Sequence, residues 1–334
     1  MDLGTAISWY TRHVTAPIAQ AVQRVQDLSP VPLDDLMACA VATCAGAAAW
    51  WILRARNAAE RARRITRTVA VTGALAAYGF TASAPGYRDG FVERYRIGAA
   101  QISLDDHAQA FSRHQEMALA LERDAGASTL IVPDDAVCAQ VLRVTATLGE
   151  QVIRTSCVPH ASLTFRAARA IDETLGMFNP FSRTMSLGVP SHNYWRPWYL
   201  AHEMAHAQLF QREDEAQFIA YLSLATAQGE YAAPMRQIAH LMRAHDESIA
   251  LRERAGIGQR PILPPRAHDD FQAIVERRPS DRQSAPPTIG ETRSIEEAVG
   301  SAPVTVGQYD LDFLLIAHAW ERAHGPDLLT PAHP

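Results

Sequence analysis

The feature that most constrains this chain is a run of eighteen residues without a charge, Leu36 to Leu53. Eighteen residues of helix are about the minimum that crosses a hydrocarbon core of roughly 30 Å. Trp50 and Trp51 stand at one end of the run, where membrane helices carry their interfacial aromatic residues. The alternative is a buried, alanine-rich helix of a soluble protein. Because uncharged runs of this length are rare in soluble helices, we expect a membrane span.

A basic segment follows this run and separates it from a second apolar stretch. Six arginines lie between residues 54 and 67, against one acid, Glu60. The second stretch, Thr68 to Ala84, is weaker because threonine and glycine interrupt it. Two apolar runs that flank an arginine cluster predict a membrane hairpin with its turn in the cytoplasm. The alternative for the cluster is a solvated helix face or a nucleic-acid patch.

These patterns divide the chain into three predicted segments. They are an amphipathic N-terminal segment over 1–35, a two-span membrane hairpin over 36–84 and a large domain over 88–334. The hairpin places the large domain in the periplasm or outside the cell; a soluble cytoplasmic protein without a span remains an alternative. The net charge of −5 is small, so no nucleic-acid partner is expected.

The large domain is predicted to be mainly helical with a small β-sheet, an α+β fold. Apolar residues recur at three- and four-residue spacing over 88–175, and again from Tyr309 to Arg322. Short β-like pieces, STLIV and ASLTF, interrupt this pattern between 127 and 165, and Thr184 to Leu187 reads as a strand. Residues 255–305 are rich in proline, glycine and charge and predict a long loop.

One motif in this domain carries chemistry, H-E-x-x-H at 202–206. The helical repeat puts His202 and His206 one turn apart on the same face, so both imidazoles reach one ion. Glu203 lies about 100° further round the helix, where it can take a proton from water at the open coordination position. The alternative is two unrelated surface histidines. The motif lies inside an apolar periodic helix, which favours a buried active site.

A catalytic zinc ion needs a third protein ligand and an open position. A second helix is predicted to start near Glu213, and three acids crowd its first turn: Glu213, Asp214 and Glu215. Acids at a helix N-terminus also complement the helix dipole, which is the ordinary explanation. Three acids within eleven residues of the motif are more than capping requires.

HExxH followed by a glutamate on the next helix resembles the gluzincin branch of zinc metallopeptidases. Their glutamate ligand commonly stands in the pattern E-x-x-A-[DN], and residues 213–217 fit this frame, with Gln217 where Asp or Asn is usual. The resemblance implies Glu213 as the third zinc ligand and Glu215 as the second choice. The layout is also similar to a bacterial family of membrane-anchored zincins of uncharacterised function. The similar features are an N-terminal helix, a membrane hairpin, Pro180-Phe181, HEMAH, EDEAQF and a late tyrosine, Tyr309.

This resemblance implies a zincin-like metallopeptidase in the bacterial cytoplasmic membrane that hydrolyses peptide or protein substrates. Zn²⁺ would be held by His202, His206 and Glu213, with Glu203 as general base. Tyr309 is the first choice for stabilising the oxyanion; His192, His240 and His318 are candidates more often explained as packed or solvated residues. The strand over 184–188 is predicted to bind extended substrate by strand addition. The alternative is a non-catalytic, membrane-anchored zinc-binding scaffold or peptide-binding protein.

Overall fold

The computed structural model describes residues 3–29, 31–83, 90–98, 102–155, 157–160, 162–172, 175–256, 261–275 and 308–325. The chain divides into two compact units. Unit 1 comprises Met1–Asp89 and Ile153–Gly188, and unit 2 comprises Gly90–Val152 and Val189–Pro334. The predicted 88–334 domain is therefore not one of these units, because residues 153–188 group with the N-terminal part of the chain.

The described residues of unit 1 form five α-helices, one π-helical turn and one hairpin. The helices are α1 (Leu3–Tyr10), α2 (Ala16–Leu28), α3 (Leu33–Leu53), α4 (Ala58–Ser83) and α8 (Leu163–Asp172). A π-helical turn, Thr11–Thr15, joins α1 to α2. The hairpin pairs β1 (Gly176–Asn179) with β2 (Thr184–Leu187) in antiparallel register, Gly176 opposite Leu187. The strand predicted from Thr184 to Leu187 is therefore confirmed.

Helix α3 covers the charge-free run and adds its N-terminal turn. Its most apolar window has a mean hydropathy of 1.8 and is 0% buried inside the protein. Among the described residues it is the one helix long and apolar enough to cross a membrane. Asp35 in its first turn accepts hydrogen bonds from the backbone N–H groups of Leu163 and Thr164, which ties α3 to the start of α8.

Unit 2 is helical in its described residues. Its helices are α5 (Phe91–Arg94), α6 (Leu104–Ala125), α7 (Asp134–Thr147), α9 (Arg196–Ala207), α10 (Glu213–Ala225), α11 (Ala232–Ala255), α12 (Pro265–Val275) and α13 (Gln308–His324). Helix α10 contacts α7, α9, α11 and α13. Phe218, Ile219 and Leu222 on α10 are 0% exposed. A helix that is apolar on all sides belongs in the core, so α10 forms the centre of unit 2.

Two predictions about local structure were wrong. The piece ASLTF is not a strand: the Ser162 hydroxyl accepts a hydrogen bond from the Phe165 N–H at 2.8 Å and caps the start of α8. STLIV is likewise not a strand in the structure. The predicted loop over 255–305 contains helix α12, whereas residues 276–307 lie outside the described part.

Candidate metal centre

Helix α9 carries the HExxH motif and ends in a specific turn. Pro197 lies in its first turn, where the missing N–H costs nothing. At the C-terminus the Phe210 N–H donates to the Ala205 carbonyl and the Leu209 N–H to the His206 carbonyl, a Schellman motif. Leu209 has a φ of 70°, in the left-handed region that glycine usually occupies. This turn brings the Phe210 carbonyl back towards the motif.

Three side chains meet beside this helix end. The Nε2 atoms of His202 and His206 are 3.2 Å apart. Oε2 of Glu213 lies 3.0 Å from His202 Nε2, and Oε1 lies 3.4 Å from His206 Nε2. The structure thus brings together the three side chains that the sequence named as zinc ligands. Ligands about 2.0–2.1 Å from a tetrahedral zinc ion are about 3.3–3.4 Å from each other, so these separations suit one ion.

A hydrogen bond from Nδ1 fixes the orientation of the His206 ring. His206 Nδ1 lies 2.7 Å from the Phe210 carbonyl oxygen, which can only accept a hydrogen bond. Nδ1 therefore carries a proton, and Nε2 is the atom that faces His202 and Glu213. It can bind a cation when the ring is neutral, or donate to Glu213 when the ring is charged. Metal-bound histidines in proteins are oriented by hydrogen bonds of this kind.

The three acids of the first turn of α10 have three different partners. The side chain of Glu213 is 52% exposed and reaches the histidines. Asp214 pairs with Arg212 at 2.9 Å. Glu215 is 1% exposed, and both of its oxygens accept hydrogen bonds from Arg94 at 2.9 Å. Arg94 is thus bound to Glu215, the residue that the sequence analysis gave as the alternative third zinc ligand.

The electrostatics of the cluster favour an ionised carboxylate. Burial raises the pKa of Glu213, but hydrogen bonds from His202 and His206 outweigh burial and hold this pKa well below its usual range. Burial lowers the pKa of His206, but the hydrogen bond to Glu213 and the charges of Glu203 and Glu213 outweigh it and raise this pKa. Without a metal ion, the negative charges of Glu203 and Glu213 therefore favour a proton on His206. The same negative charges would favour a divalent cation at this position.

The remaining predicted site residues are placed as follows. Glu203 is 6% exposed on α9, and its charge acts on His206. The backbone of Tyr309 lies in the first turn of α13, and its side chain is outside the described part of the structure. His240 contacts His114, Nδ1 to Nδ1 at 3.0 Å. The His192 carbonyl accepts a hydrogen bond from Arg266.

A second cluster of histidine and glutamate lies buried among α6, α11 and α13. Glu247 accepts hydrogen bonds from His107 Nδ1 at 2.5 Å and from His318 Nε2 at 2.9 Å. Arg243, which is 0% exposed, lies 2.9 Å from the same carboxylate, and Arg254 lies 3.2 Å from His107 Nε2. The sequence singled out His318 but not its partners.

This second cluster fits a hydrogen-bonded network better than a metal site. His107 Nδ1 and the Glu247 carboxylate are only 2.5 Å apart, well below the distance of about 3.3 Å between two ligands of one zinc ion. Burial raises the pKa of Glu247, but the charge of Arg243 and hydrogen bonds from the two histidines outweigh burial and lower this pKa to about 2. Arg243 already neutralises the carboxylate and would repel a divalent cation.

The fold and the site define a helical protein with an HExxH helix and a glutamate from the following helix beside it. A family model described as "Protein of unknown function (DUF3810)" matches residues 10–250. The chain belongs to this family. The match covers α2, α3 and α4, both strands and the three residues of the candidate metal centre. Neither the curated proteins nor the solved structures gave a match.

Proposed function

We propose that this protein is a zinc-dependent metallopeptidase. The observation that carries the proposal is the convergence of His202, His206 and Glu213, with ligand atoms within 4.8 Å of one another. The fixed ring orientation of His206 supports it, because the hydrogen bond from Nδ1 to the Phe210 carbonyl points Nε2 at His202 and Glu213 across 3.2 and 3.4 Å. Such an arrangement is unfavourable unless a proton or a cation lies among the three groups.

The residues of the site would divide the chemistry of peptide hydrolysis among them. A bound Zn²⁺ would polarise the substrate carbonyl and lower the pKa of water to about 7. Glu203, one residue after the first histidine, would accept a proton from the attacking water and deliver it to the leaving amine. Tyr309 keeps its proposed role at the oxyanion. Strand addition at β2 is no longer proposed, because β2 belongs to unit 1 and its Met185 carbonyl already accepts a hydrogen bond from the His160 N–H.

The rival function is a non-catalytic zinc-binding scaffold or peptide-binding protein. A structural zinc site closes its coordination sphere with four protein ligands. Among the described residues three candidate ligands converge here, and the exposure of Glu213 at 52% leaves this side of the cluster accessible. A buried carboxylate at Glu203 has no function in a purely structural site. Both observations favour the enzyme.

We further propose a two-span membrane anchor with unit 2 outside the cytoplasm. The support comes from contacts within unit 1 that bracket helices α3 and α4. Before these helices, Gln20 on α2 exchanges hydrogen bonds with the backbone of Arg154, which follows them. Both residues therefore lie on the same side of any membrane. If α3 crosses it, the chain must cross again before residue 154. Helix α4 as described is not both long and apolar enough to count as a span, but its apolar part from Thr68 to Ser83 is the segment that we propose for the second crossing. The arginine-rich turn would then be cytoplasmic.

Metal content of the purified protein tests the zinc site. We expect about one zinc ion per chain, lost in His206→Ala and reduced in Glu213→Ala, because each substitution removes one ligand. Elemental analysis by mass spectrometry measures this directly.

Asp214→Ala is the matched control, because Asp214 neighbours Glu213 but pairs with Arg212. This variant should retain its zinc. Full zinc occupancy in Glu213→Ala, or its absence from the wild-type protein after purification with added zinc, contradicts the proposed ligand set.

A further inference from the structure

Helix α2 presents its polar face to the protein and its apolar face outwards. Gln23 and Gln26 are each 1% exposed and lie on the inner face with two buried alanines, whereas Ile18, Val25 and Leu28 are 37%, 55% and 86% exposed. A water-soluble surface helix has the opposite arrangement. This inversion requires an explanation beyond the packing of unit 1.

Two glutamines of α2, Gln20 and Gln26, are hydrogen-bonded to other segments of unit 1. The Gln26 amide oxygen accepts hydrogen bonds from the Leu33 N–H at 2.8 Å and the Thr184 hydroxyl at 2.9 Å. Gln20 exchanges two hydrogen bonds with Arg154. Because these partners fix the rotation of α2, the helix cannot turn its apolar residues inwards without leaving buried amides unpaired.

The outward apolar residues form one continuous stripe. Ile18, Ala21, Val25 and Leu28 are spaced by three, four and three residues, so they fall within roughly 80° of the helix circumference. The middle of this stripe lies roughly 180° from the middle of the buried face. Arg24, exposed beside the stripe, can extend its guanidinium towards anionic groups while its methylenes cover apolar surface.

The apolar stripe lies directly before the candidate membrane span in the chain, which indicates that lipid covers it. Leu28 ends α2, and α3, the helix that could cross a membrane, begins at Leu33. Val31 between them is 42% exposed, and Leu36 in the first turns of α3 is 46% exposed. The outward apolar surface thus continues along the chain from α2 into the candidate span. An apolar stripe with a basic edge is typical of helices that lie in the membrane interface.

We propose that α2 lies in the plane of the membrane, with Ile18, Ala21, Val25 and Leu28 buried among the lipids of the leaflet that α3 enters first. This proposal rests on the proposed membrane anchor. It adds a lipid-binding surface that would hold unit 1 against the bilayer and restrict its orientation.

Fluorescence quenching of single-cysteine variants in lipid vesicles tests this surface. Val25→Cys and Asp27→Cys are made in the full chain with its four cysteines replaced by alanine and labelled with bimane. Asp27 is the matched control, because it is exposed on α2 about 160° away from Val25. A third variant retains only Cys44, inside α3. Vesicles of phosphatidylethanolamine and phosphatidylglycerol carry a nitroxide on a lipid chain, and iodide serves as the aqueous quencher.

We expect the lipid nitroxide to quench the label at position 25 at least about twofold more strongly than the label at position 27. Iodide should quench the label at position 27 more strongly. Equal quenching by iodide at both positions overturns the proposal. Protection of Val25 from both quenchers overturns it in favour of a protein partner, such as a second copy of the chain. The label at Cys44 distinguishes failure of the α2 proposal from failure of the membrane anchor. If the lipid nitroxide does not quench the label at Cys44 either, the membrane anchor itself is wrong.

Discussion

The ion pair between Arg94 and Glu215 makes a quantitative prediction about the support of the metal centre. Glu215 lies two residues after Glu213 in the first turn of α10. Its carboxylate is 1% exposed, and Arg94 binds both of its oxygens at 2.9 Å. Burial lowers the pKa of Arg94, but the charge of Glu215 outweighs burial and raises it. Replacing Arg94 by leucine would leave a buried carboxylate without its principal partner.

The expected cost follows from the burial of both groups. Removing one partner of a buried, hydrogen-bonded ion pair costs about 3–5 kcal/mol of unfolding free energy. For a folding unit of this size, each kcal/mol lowers the melting temperature by about 2–4 °C. Arg94→Leu should therefore lower the melting temperature of unit 2 by about 6–20 °C. Arg113→Leu should cost less than about 1 kcal/mol, because Arg113 is 53% exposed in its pair with Glu321.

Differential scanning calorimetry of the purified protein in detergent measures these shifts. The double variant Arg94→Leu/Glu215→Leu is the informative control, because it removes the unpaired charge as well as the pair. It should recover most of the lost stability, since apolar pairs commonly replace buried ion pairs at little cost. If Arg94→Leu melts within about 2 °C of the wild-type protein, which is less than about 1 kcal/mol, or if the double variant is the least stable of the set, the reasoning about this pair is refuted.

Two further predictions concern topology and acid stability. Alkaline phosphatase fused after residue 334 should be active and a fusion near residue 60 inactive; the opposite pattern would invert the proposed orientation. Burial lowers the pKa of His240 to about 3 and that of His114 below its usual value. Between about pH 6.5 and about pH 3 the unfolded chain therefore binds a proton at His240 that the folded chain does not, and stability falls as the pH falls, by up to about 1.4 kcal/mol per pH unit for this histidine. Urea unfolding of metal-free protein should show a shallower slope in His240→Phe, and an identical slope would exclude this origin.

The sequence predicts those parts of the site that depend on local periodicity. His202 and His206 are one helical turn apart, so the pattern alone places them on one face. Glu213 was placed at the start of the next helix, and α10 begins at this residue. The strand from Thr184 to Leu187 was likewise predicted from the local sequence just before the motif helix.

The parts that could not be predicted are contacts between distant residues. Arg94 and Glu215 are 121 positions apart, and His107 and Glu247 are 140 apart. Nothing in the local sequence distinguishes a buried glutamate held by arginine from a metal ligand nearby. The sequence therefore ranked Glu213 before Glu215 only through the family resemblance, and the contact between Arg94 and Glu215 is a further reason to prefer Glu213. The left-handed turn at Leu209 also gave no signal, because glycine or asparagine usually occupies that position.

Peptide cleavage by the wild-type protein and Glu203→Gln at matched zinc content tests the central proposal most directly. A glutamine side chain in place of Glu203 would keep the size and hydrogen-bonding capacity of the group but could not accept a proton. Both proteins should bind about one zinc ion, and cleavage of a peptide library by the variant should be about 10²–10⁴-fold slower, the range that a general base contributes. Equal cleavage rates at equal zinc content, or no cleavage by zinc-loaded wild-type protein across the library, would contradict the assignment as a zinc metallopeptidase.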